Sequence, residues 1–374
     1  MSNIYREIGV RPVINAYGNR TLLGGGTPSQ TVKAAMDASE EFYVDMSELY
    51  DAVGVKIADM LGIEAALVTN GAAAALTYGA AGCMTGMNQR NVDKLPDSSG
   101  MPDEFIIQKQ LRLRYDRCMT IPGGRLIEVG GDSGTTRNQI EMAISDQTAG
   151  IHCIPSADDR LGSVPLGEVI NIAKANSVPV IVDASSYVYP TENLSKFVKM
   201  GADLVAYGGK YFGSVNSGGL LTGREDLVMA ARMNSFVRFE ALYDSTLALG
   251  RPMKMDRQDV VGVYAALREW INMDHASRFE SYVDRCKEVS DAFRSIPHIK
   301  PYGLEDDYPI GQWFWVDADE AGKSASDVVK ELRDGDPGVW VVESPEGDKF
   351  SVRVPWLGNG HEHIIAERLI EILG

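Results

Sequence analysis

Cysteine, histidine and long apolar runs are all scarce in this sequence. Its 374 residues include four cysteines and five histidines, without a CxxC pair or an HExxH motif. This scatter argues against a disulfide framework and a zinc site, so we expect reduced thiols and no metal. The longest apolar stretches fall short of the ~20 residues that cross a bilayer. The N-terminus lacks the apolar region of a secretory signal, so we expect a cytoplasmic protein with no membrane partner.

Basic residues are also few relative to acidic ones. Lys and Arg number 36 against 52 Asp and Glu, which gives a net charge of −16. Binding to nucleic-acid phosphates needs clustered Lys and Arg, so we expect no nucleic-acid partner. Glycine, in contrast, is abundant: 38 of the 374 residues are glycine, a larger share than the average of about 7%.

The chain contains two regions that differ in their pattern of predicted strands and helices. Between about residues 64 and 223, short apolar runs alternate with helical patterns, which predicts an α/β fold with a mostly parallel sheet buried on both faces. From about residue 257, two helical patterns precede short β-like runs and a terminal helix, which is typical of a smaller α+β domain. We predict an N-terminal active-site segment at 1–30, a large domain at 31–256 and a small domain at 257–374.

The first candidate for ligand binding is the sequence TNGAAAA at residues 69–75. A predicted strand ends at Thr69, and a helix opens after Gly71. Small residues let backbone N–H groups approach an anion, and the helix dipole favours a phosphate there. Thr69, Asn70, Gly71 and Ala72 therefore form a candidate phosphate turn, although an ordinary strand–helix turn has the same sequence.

Two charged residues follow apolar strands further along the chain. Asp183 ends the run VPVIVD, at the strand end where α/β folds place their ligands. A carboxylate there is costly unless paired, and it could hold a metal, a ribose hydroxyl or a protonated ring nitrogen. Lys210 follows DLVAYGG in a glycine-rich turn, where partial burial favours a nucleophilic amine. A solvated loop lysine is the alternative interpretation.

These features occur in the order of a pyridoxal-phosphate site: phosphate turn, strand-end aspartate, strand-end lysine. The gap of 210 − 183 = 27 residues is about one β-α-β crossover. Long matching stretches include GVRPVINAYGNRTLLGGG, ADMLGIEAALVTNGAAAAL, VPVIVDASSYVYPTENLSKFVKMGADLVAYGGK and GRPMKMDRQDVVGVYAAL. On these residues the chain resembles the selenocysteine synthase-related, D-glucosaminate-6-phosphate ammonia-lyase-like family of pyridoxal-phosphate enzymes.

The resemblance implies the aspartate-aminotransferase fold, called fold type I, with a mostly parallel sheet of the seven-stranded type in the large domain. It implies pyridoxal 5′-phosphate as the cofactor, with Lys210 as the Schiff-base lysine and Asp183 as the partner of the ring nitrogen. Gly71 and Ala72 match the phosphate cradle of the family. By the same analogy, Ser185 is a contact of the cofactor ring.

The lysine turn departs from the family pattern, which usually reads SGGK followed by a Gly-Pro-containing segment. Tyr207 and Gly209 lie in this turn and are assigned to the cofactor site, but Tyr207 replaces a serine that often helps to bind the phosphate. Ser214 replaces the proline. Leu111 stands where related sequences often have a histidine before Arg112, which suggests an altered substrate or chemistry.

Basic residues that could bind a substrate anion occur near the predicted cleft. GRPMK lies between the predicted domains, and Arg353 lies where this fold usually supplies an arginine for the α-carboxylate. The N-terminal INAYGNRT segment adds Asn15 by family matching. The candidate substrate-binding residues are Asn15, Arg112, Arg251, Lys254 and Arg353.

The predicted function is a pyridoxal-phosphate lyase of the ammonia-lyase type, acting by α,β-elimination on a small polar or phosphorylated amino acid. Racemisation and transamination share the same lysine and electron sink, so both stay open. The net charge of −16 disfavours a tRNA-dependent selenium transferase. Because this fold usually builds its site at a two-fold interface, we expect a homodimer or a larger homo-oligomer.

Overall fold

The apolar runs of the sequence form two sheets. The computed structural model describes residues 4–158, 160–240, 246–305 and 308–374. The strands are β1 (Val13–Ala16), β2 (Ala65–Asn70), β3 (Glu104–Gln108), β4 (Arg125–Val129), β5 (Thr148–Cys153), β6 (Val180–Asp183), β7 (Leu204–Gly208), β8 (Gly218–Gly223), β9 (Ile299–Leu304), β10 (Gly311–Val316), β11 (Gly338–Glu343) and β12 (Lys349–Arg353).

Helices connect and cover these strands. The α-helices are α1 (Ile4–Glu7), α2 (Gln30–Ser39), α3 (Met46–Leu61), α4 (Gly71–Thr85), α5 (Gln89–Lys94), α6 (Arg117–Thr120), α7 (Arg137–Ala143), α8 (Leu166–Ala175), α9 (Asn193–Met200), α10 (Glu225–Met233), α11 (Phe236–Phe239), α12 (Arg257–Asn272), α13 (His275–Ala292), α14 (Ala318–Ala321), α15 (Ala325–Asp334) and α16 (His361–Leu373). The short 3₁₀ segments are Thr21–Leu23, Lys109–Leu111, Arg114–Asp116, Pro155–Asp158, Gly209–Phe212 and Arg251–Met253.

The large sheet has the strand order β2-β8-β7-β6-β5-β3-β4 within the described residues. Its strands are parallel except β8, which is antiparallel to both of its neighbours, β2 and β7. Every residue of β7 and β8 is buried. This arrangement confirms the predicted α/β fold with a mostly parallel sheet, and it explains why the strands are apolar on both faces.

Helix α4 packs against this sheet through small residues. Most of its fifteen residues are buried, and its sequence is rich in alanine and glycine. A Cβ atom at Gly82 would lie 2.7 Å from the backbone nitrogen of Ala231 in α10. The absence of a side chain at Gly82 therefore lets the backbones of α4 and α10 approach each other closely.

The second sheet has the order β1-β11-β12-β10-β9. Strand β1 pairs in parallel with β11, so the N-terminal segment is part of the same sheet as the C-terminal strands. One face buries Phe314, Val341 and Phe350 in a core of its own. Helices α13, α15 and α16 contribute the buried side chains of Val289, Leu332 and Leu369 to that core.

The compact units of the structure do not follow the domain boundaries predicted from the sequence. One unit contains the described residues from Thr27 to Asn272, and the other contains those up to Gly26 together with those from Met273 onward. Helix α12 belongs to the first unit because Val260 and Val263 pack in the same core as Val32 of α2. Residues 13–16 join the other unit through their pairing with β11.

Substitution of Gly82 tests the close contact between α4 and α10. In Gly82→Ala the new methyl group meets backbone atoms of Ala230 and Ala231, so we expect the free energy of unfolding to fall by about 1–3 kcal/mol. The matched control is Gly167→Ala in α8, where a Cβ meets nothing within 4 Å and helix propensity predicts a gain of up to ~1 kcal/mol. Urea unfolding of both variants measures the difference, and equal stabilities would contradict this account of the packing.

Candidate active site

The register of the large sheet brings the predicted site elements to one edge. Gly219, near the start of β8, pairs with Thr69 near the end of β2 on one side and with Gly208 at the end of β7 on the other. Asp183 ends β6 and pairs with Ala206 of β7. Because β8 runs antiparallel, its beginning lies where β2, β6 and β7 end. The phosphate turn, the lysine turn and the aspartate therefore share one edge of the sheet.

The turn at Gly71 is shaped for an anion. Gly71 has a φ of 74°, in the left-handed region, and begins α4 without a capping side chain at Asn70. A Cβ at Gly219 would lie 2.4 Å from the carbonyl carbon of Gly71 and 2.8 Å from the nitrogen of Ala72, so this close approach requires glycine. Backbone N–H groups in the first turn of a helix have no intrahelical acceptor and attract a phosphate.

Side chains beside this turn hold it in place. The hydroxyl of Thr69 donates to the carbonyl oxygen of Gly71 over 3.0 Å, and Thr69 is buried. The amide Nδ2 of Asn70 donates to the carbonyl oxygen of Lys254 over 3.2 Å. These bonds hold the shape of the turn, and the assignment of Thr69 and Asn70 to cofactor binding stays a prediction.

The carboxylate of Asp183 is held by the turn that follows it. Its Oδ1 accepts hydrogen bonds from the backbone nitrogen of Ser185, at 3.0 Å, and from the hydroxyl of Ser185. The carbonyl oxygen of Ser185 in turn accepts from the nitrogen of Gly208 over 2.9 Å, which ties the aspartate turn to the lysine turn. Within the described ranges, Oδ2 of Asp183 receives no hydrogen bond from the protein.

Lys210 lies in the 3₁₀ turn Gly209–Phe212, directly after β7. It is half-buried, and its Nζ lies 5.3 Å from the centre of the Tyr211 ring. A Cβ at Gly209 would come within 2.8 Å of the carbonyl group of Gly218, so this turn also depends on backbone contact with β8. The geometry places one amine and one carboxylate on adjacent turns of the same edge.

Tyr207 points away from this edge, and its assignment to the cofactor site stays a prediction. Its ring is completely buried, and its hydroxyl donates to the carbonyl oxygen of Asn193 over 2.7 Å. Since side chains alternate along a strand, Tyr207 faces the side of α9 while Ala206 and Gly208 face the other side.

The basic candidates in this unit differ in their pairing. Arg112 forms ion pairs with Asp116, at 2.7 Å, and with Glu128, at 2.6 Å. Arg251 pairs with Glu240 over 2.5 Å. For Lys254, whose carbonyl anchors Asn70, no carboxylate lies within ion-pair distance of the ammonium group among the described residues, and the side chain is exposed.

Asn15 and Arg353 lie in the other unit and have intramolecular partners there. Both polar groups of Asn15 bond to the backbone of residues 17 and 18, at 3.0–3.1 Å. Nε of Arg353 pairs with Glu305 over 2.9 Å, and its Nη1 donates to the carbonyl oxygen of Tyr17 over 3.2 Å. Their assignment to substrate binding stays a prediction.

The sequence analysis missed a group of buried polar residues near Asp183. His152 in β5 and Asp116 are both almost inaccessible, and Nε2 of His152 lies 3.9 Å from Oδ1 of Asp116. Burial lowers the pKa of His152, and the charges of Asp183 and Asp116 oppose this change. Burial, together with the charge of Asp183, raises the pKa of the Cys118 thiol to about 11. The sequence signal that could have revealed this group is His152 itself, a histidine inside the apolar strand β5.

Comparisons with known proteins identify the family. No protein-family model matches the chain. It is 33% identical to the 5′-C-glycyluridine monooxygenase-decarboxylase of a Streptomyces species, over 93% of this chain and 90% of that protein. It is 28% identical to the D-glucosaminate-6-phosphate ammonia lyase of Salmonella typhimurium (strain 14028s / SGSC 2262), over 99% and 98% of the two chains.

The chain belongs to this family of fold type I pyridoxal-phosphate enzymes. A solved structure of D-glucosaminate-6-phosphate ammonia-lyase matches it with a TM-score of 0.88 and 27% identity, covering 100% of this chain and 98% of that one. The L-seryl-tRNA(Sec) selenium transferase of Desulfovibrio desulfuricans (strain ATCC 27774 / DSM 6949 / MB) is 25% identical over 44% of this chain and 34% of its own length. These matches confirm the predicted family, fold type and enzyme class.

Among the described residues, none of the helices has the length and apolar character that crossing a bilayer requires. Over the same ranges, the His, Cys, Asp and Glu side chains form no group of three able to hold a metal ion.

Proposed function

We propose that this protein is a pyridoxal-phosphate-dependent lyase that acts on a small polar or phosphorylated amino acid by elimination. The observation that carries the proposal is the meeting of the Gly71 turn, Asp183 and Lys210 at one edge of the large sheet. The names of the ammonia-lyase relative and of its solved structure support the reaction type.

The residues at this edge fit the cofactor. The start of α4 at Gly71 and Ala72 would bind its phosphate through backbone N–H groups and the helix dipole. Oδ2 of Asp183 would pair with its ring nitrogen, since Oδ1 is held by Ser185. When bound, the cofactor supplies an electron-withdrawing ring to an amino acid joined to it.

Lys210 is the base in this proposal. Its amine lies on the turn next to Asp183, at the end of β7, and would take the proton from the α-carbon of the substrate. Asp183 would face the ring nitrogen, and Ser185 fixes the direction of that carboxylate. Loss of the α-proton and of a β-leaving group, followed by reaction with water, converts an amino acid to an oxo acid and ammonia.

Lys254 is the basic residue best placed to bind a substrate anion. Its backbone is tied to Asn70 beside the Gly71 turn, while its side chain is exposed and not engaged by a nearby carboxylate of the described chain. Arg112 and Arg251 already neutralise acidic neighbours. We also propose a homodimer and a cytoplasmic location, both of which rest on the sequence.

A second reaction is supported by the relative with 33% identity. That protein is a monooxygenase-decarboxylase, so its name describes oxygen consumption and loss of carbon dioxide rather than release of ammonia alone. On this chain, such a reaction would use the same lysine and aspartate. The second candidate function is therefore an oxygen-dependent decarboxylation at the same site.

Substitution of Lys210 tests the proposed base and cofactor attachment. We expect purified protein to show the visible absorbance of bound pyridoxal phosphate, and Lys210→Ala to lose that band and about 10²–10⁴-fold in turnover. Asp183→Ala should keep some cofactor but lose most of its turnover, because the ring nitrogen loses its partner. The matched control is Lys174→Ala, which removes an exposed lysine near Gly201 at the other edge of the sheet. A colourless wild type that binds no added cofactor would refute the proposal.

A panel of D- and L-amino acids separates the candidate reactions. Each β-hydroxylated or β-phosphorylated substrate is paired with the counterpart that has no leaving group, and ammonia, oxo acid, carbon dioxide and dissolved oxygen are measured without an amino acceptor. Elimination predicts equal amounts of ammonia and oxo acid, no oxygen uptake and no reaction of the counterparts. Oxygen uptake with release of carbon dioxide would instead support the second candidate, and oxo acid formed only with an acceptor would exclude both.

A further inference from the structure

A short segment of chain runs beside α4 and reaches the Gly71 turn. It extends from Thr246 to Lys254, and we call it the strap. Helix α4 has 15 residues, which at 1.5 Å per residue makes it about 22 Å long, and an extended strap can span that length. Thr246 and Gly250 are buried, whereas Leu247 is exposed. One side of the strap therefore packs into the protein.

Asp93 anchors the beginning of the strap. This residue lies in α5, the helix that follows the C-terminal end of α4. Its Oδ1 accepts hydrogen bonds from the hydroxyl of Thr246, at 3.0 Å, and from the backbone nitrogen of Leu247, at 2.8 Å. Nε2 of Gln89, one turn earlier in α5, donates to the same carboxylate oxygen and to the hydroxyl oxygen of Thr246, each over 2.9 Å. The first two residues of the strap are therefore tied to the side chains of α5.

The charge of Asp93 strengthens this anchor. Burial raises its pKa, but hydrogen bonds from Leu247, Thr246 and Gln89 outweigh that effect, and the pKa lies below its usual range. The charge of Arg238 lowers the pKa as well. Asp93 is therefore ionised at neutral pH, and hydrogen bonds to a charged acceptor are stronger than those between neutral groups.

The middle of the strap is fixed at Gly250. Its nitrogen donates to the carbonyl oxygen of Asn234 over 2.9 Å, and its carbonyl oxygen accepts from the hydroxyl of Tyr78 in α4 over 3.3 Å. A Cβ at Gly250 would lie 2.6 Å from the carbonyl oxygen of Asn234 and 2.7 Å from the nitrogen of Phe236. This close approach requires glycine, so the strap lies directly against the backbone here and is bonded to α4 at the same point.

The end of the strap supports the Gly71 turn. The carbonyl oxygen of Lys254 accepts a hydrogen bond from Nδ2 of Asn70, the residue that precedes Gly71 and α4. The side chain of Lys254 is exposed and is the proposed ligand of the substrate anion. The strap thus joins α5, beyond one end of α4, to the turn at the other end.

We propose that Asp93 is a positioning residue for the phosphate site, acting through the strap on Asn70 and Lys254. It lies beyond the far end of α4 and would not touch the cofactor or the substrate; it fixes the place where the strap meets the Gly71 turn. This proposal rests on the proposed function for the identity of the bound phosphate, but not for the connection between Asp93 and the strap.

Amide hydrogen exchange in cofactor-free protein tests the connection without a ligand. The amides of Leu247, Gly250 and Met253 each donate a hydrogen bond, so each reports on a different part of the strap. We expect Asp93→Ala to accelerate exchange at all three by about tenfold, and Asp93→Asn, whose side-chain oxygen still accepts, to restore most of the protection. Faster exchange at Leu247 alone, with Gly250 and Met253 unchanged, would overturn the proposal.

A neighbouring aspartate provides the matched control. Asp97 accepts from the nitrogen of Ser99 over 3.0 Å and lies 3.7 Å from Nζ of Lys94, and neither partner belongs to the strap. We therefore expect Asp97→Ala to leave exchange along the strap unchanged. Equal acceleration in Asp97→Ala and Asp93→Ala would mean a general loosening around α5 and would contradict the specific anchor.

Pyridoxal phosphate and pyridoxal are two probes that differ only in the phosphate. We expect Asp93→Ala to weaken binding of pyridoxal phosphate by about three- to tenfold, because the strap supports the turn that holds the phosphate. Binding of pyridoxal, which has no phosphate, should change by less than about twofold. Equal weakening of both probes would indicate a distortion of the whole site, and the positioning role would be wrong.

A double substitution tests whether the effect passes through Asn70. Asn70→Ala removes the hydrogen bond to the strap, so the combined variant with Asp93→Ala should lose no more affinity for pyridoxal phosphate than the weaker-binding single variant. Additive losses would mean that the two residues act independently and would refute the proposal. If the wild type binds neither probe, the proposed function fails, while the exchange rates of Gly250 and Met253 still decide whether Asp93 holds the strap.

Discussion

The site depends on the contact between Gly219 and the Gly71 turn. Strand β8 can lie between β2 and β7 at this edge only because Gly219 has no side chain to meet Gly71 and Ala72. This antiparallel strand sets the spacing between the phosphate turn and the lysine turn. Asp183 then follows on β6, joined to the lysine turn through Ser185 and Gly208. The Gly219 contact and this hydrogen bond together fix the relation among the three elements.

The elements of this site that follow from strand ends could be predicted from the sequence. Asp183 and Lys210 end apolar runs, and the carboxyl ends of parallel strands share one edge of a sheet, so their proximity follows from the alternation of strands and helices. The Gly71 turn follows from the same rule. For these residues local sequence contains the decisive information, because each position is set by its own strand.

Other residues depend on contacts that are distant in sequence. The pairing of Arg112 with Glu128 and the entry of residues 13–16 into the second sheet depend on tertiary packing. His152 comes onto the same face as Asp183 only because β5 pairs with β6, and this pairing cannot be read from the local sequence. The orientation of Tyr207 is a different case, since the two-residue repeat of a strand places it opposite Ala206 and Gly208.

The family supports more than one reaction on the same framework, as the names of its ammonia-lyase and monooxygenase-decarboxylase members indicate. In the proposal made for this chain, the cofactor is held between a helix start, an aspartate and a lysine. The most direct test is to treat the protein with borohydride, digest it and locate the reduced cofactor by mass spectrometry. The account predicts a pyridoxyl group on the peptide that contains Lys210. A pyridoxyl group on another lysine, or none at all after incubation with pyridoxal phosphate, would contradict it.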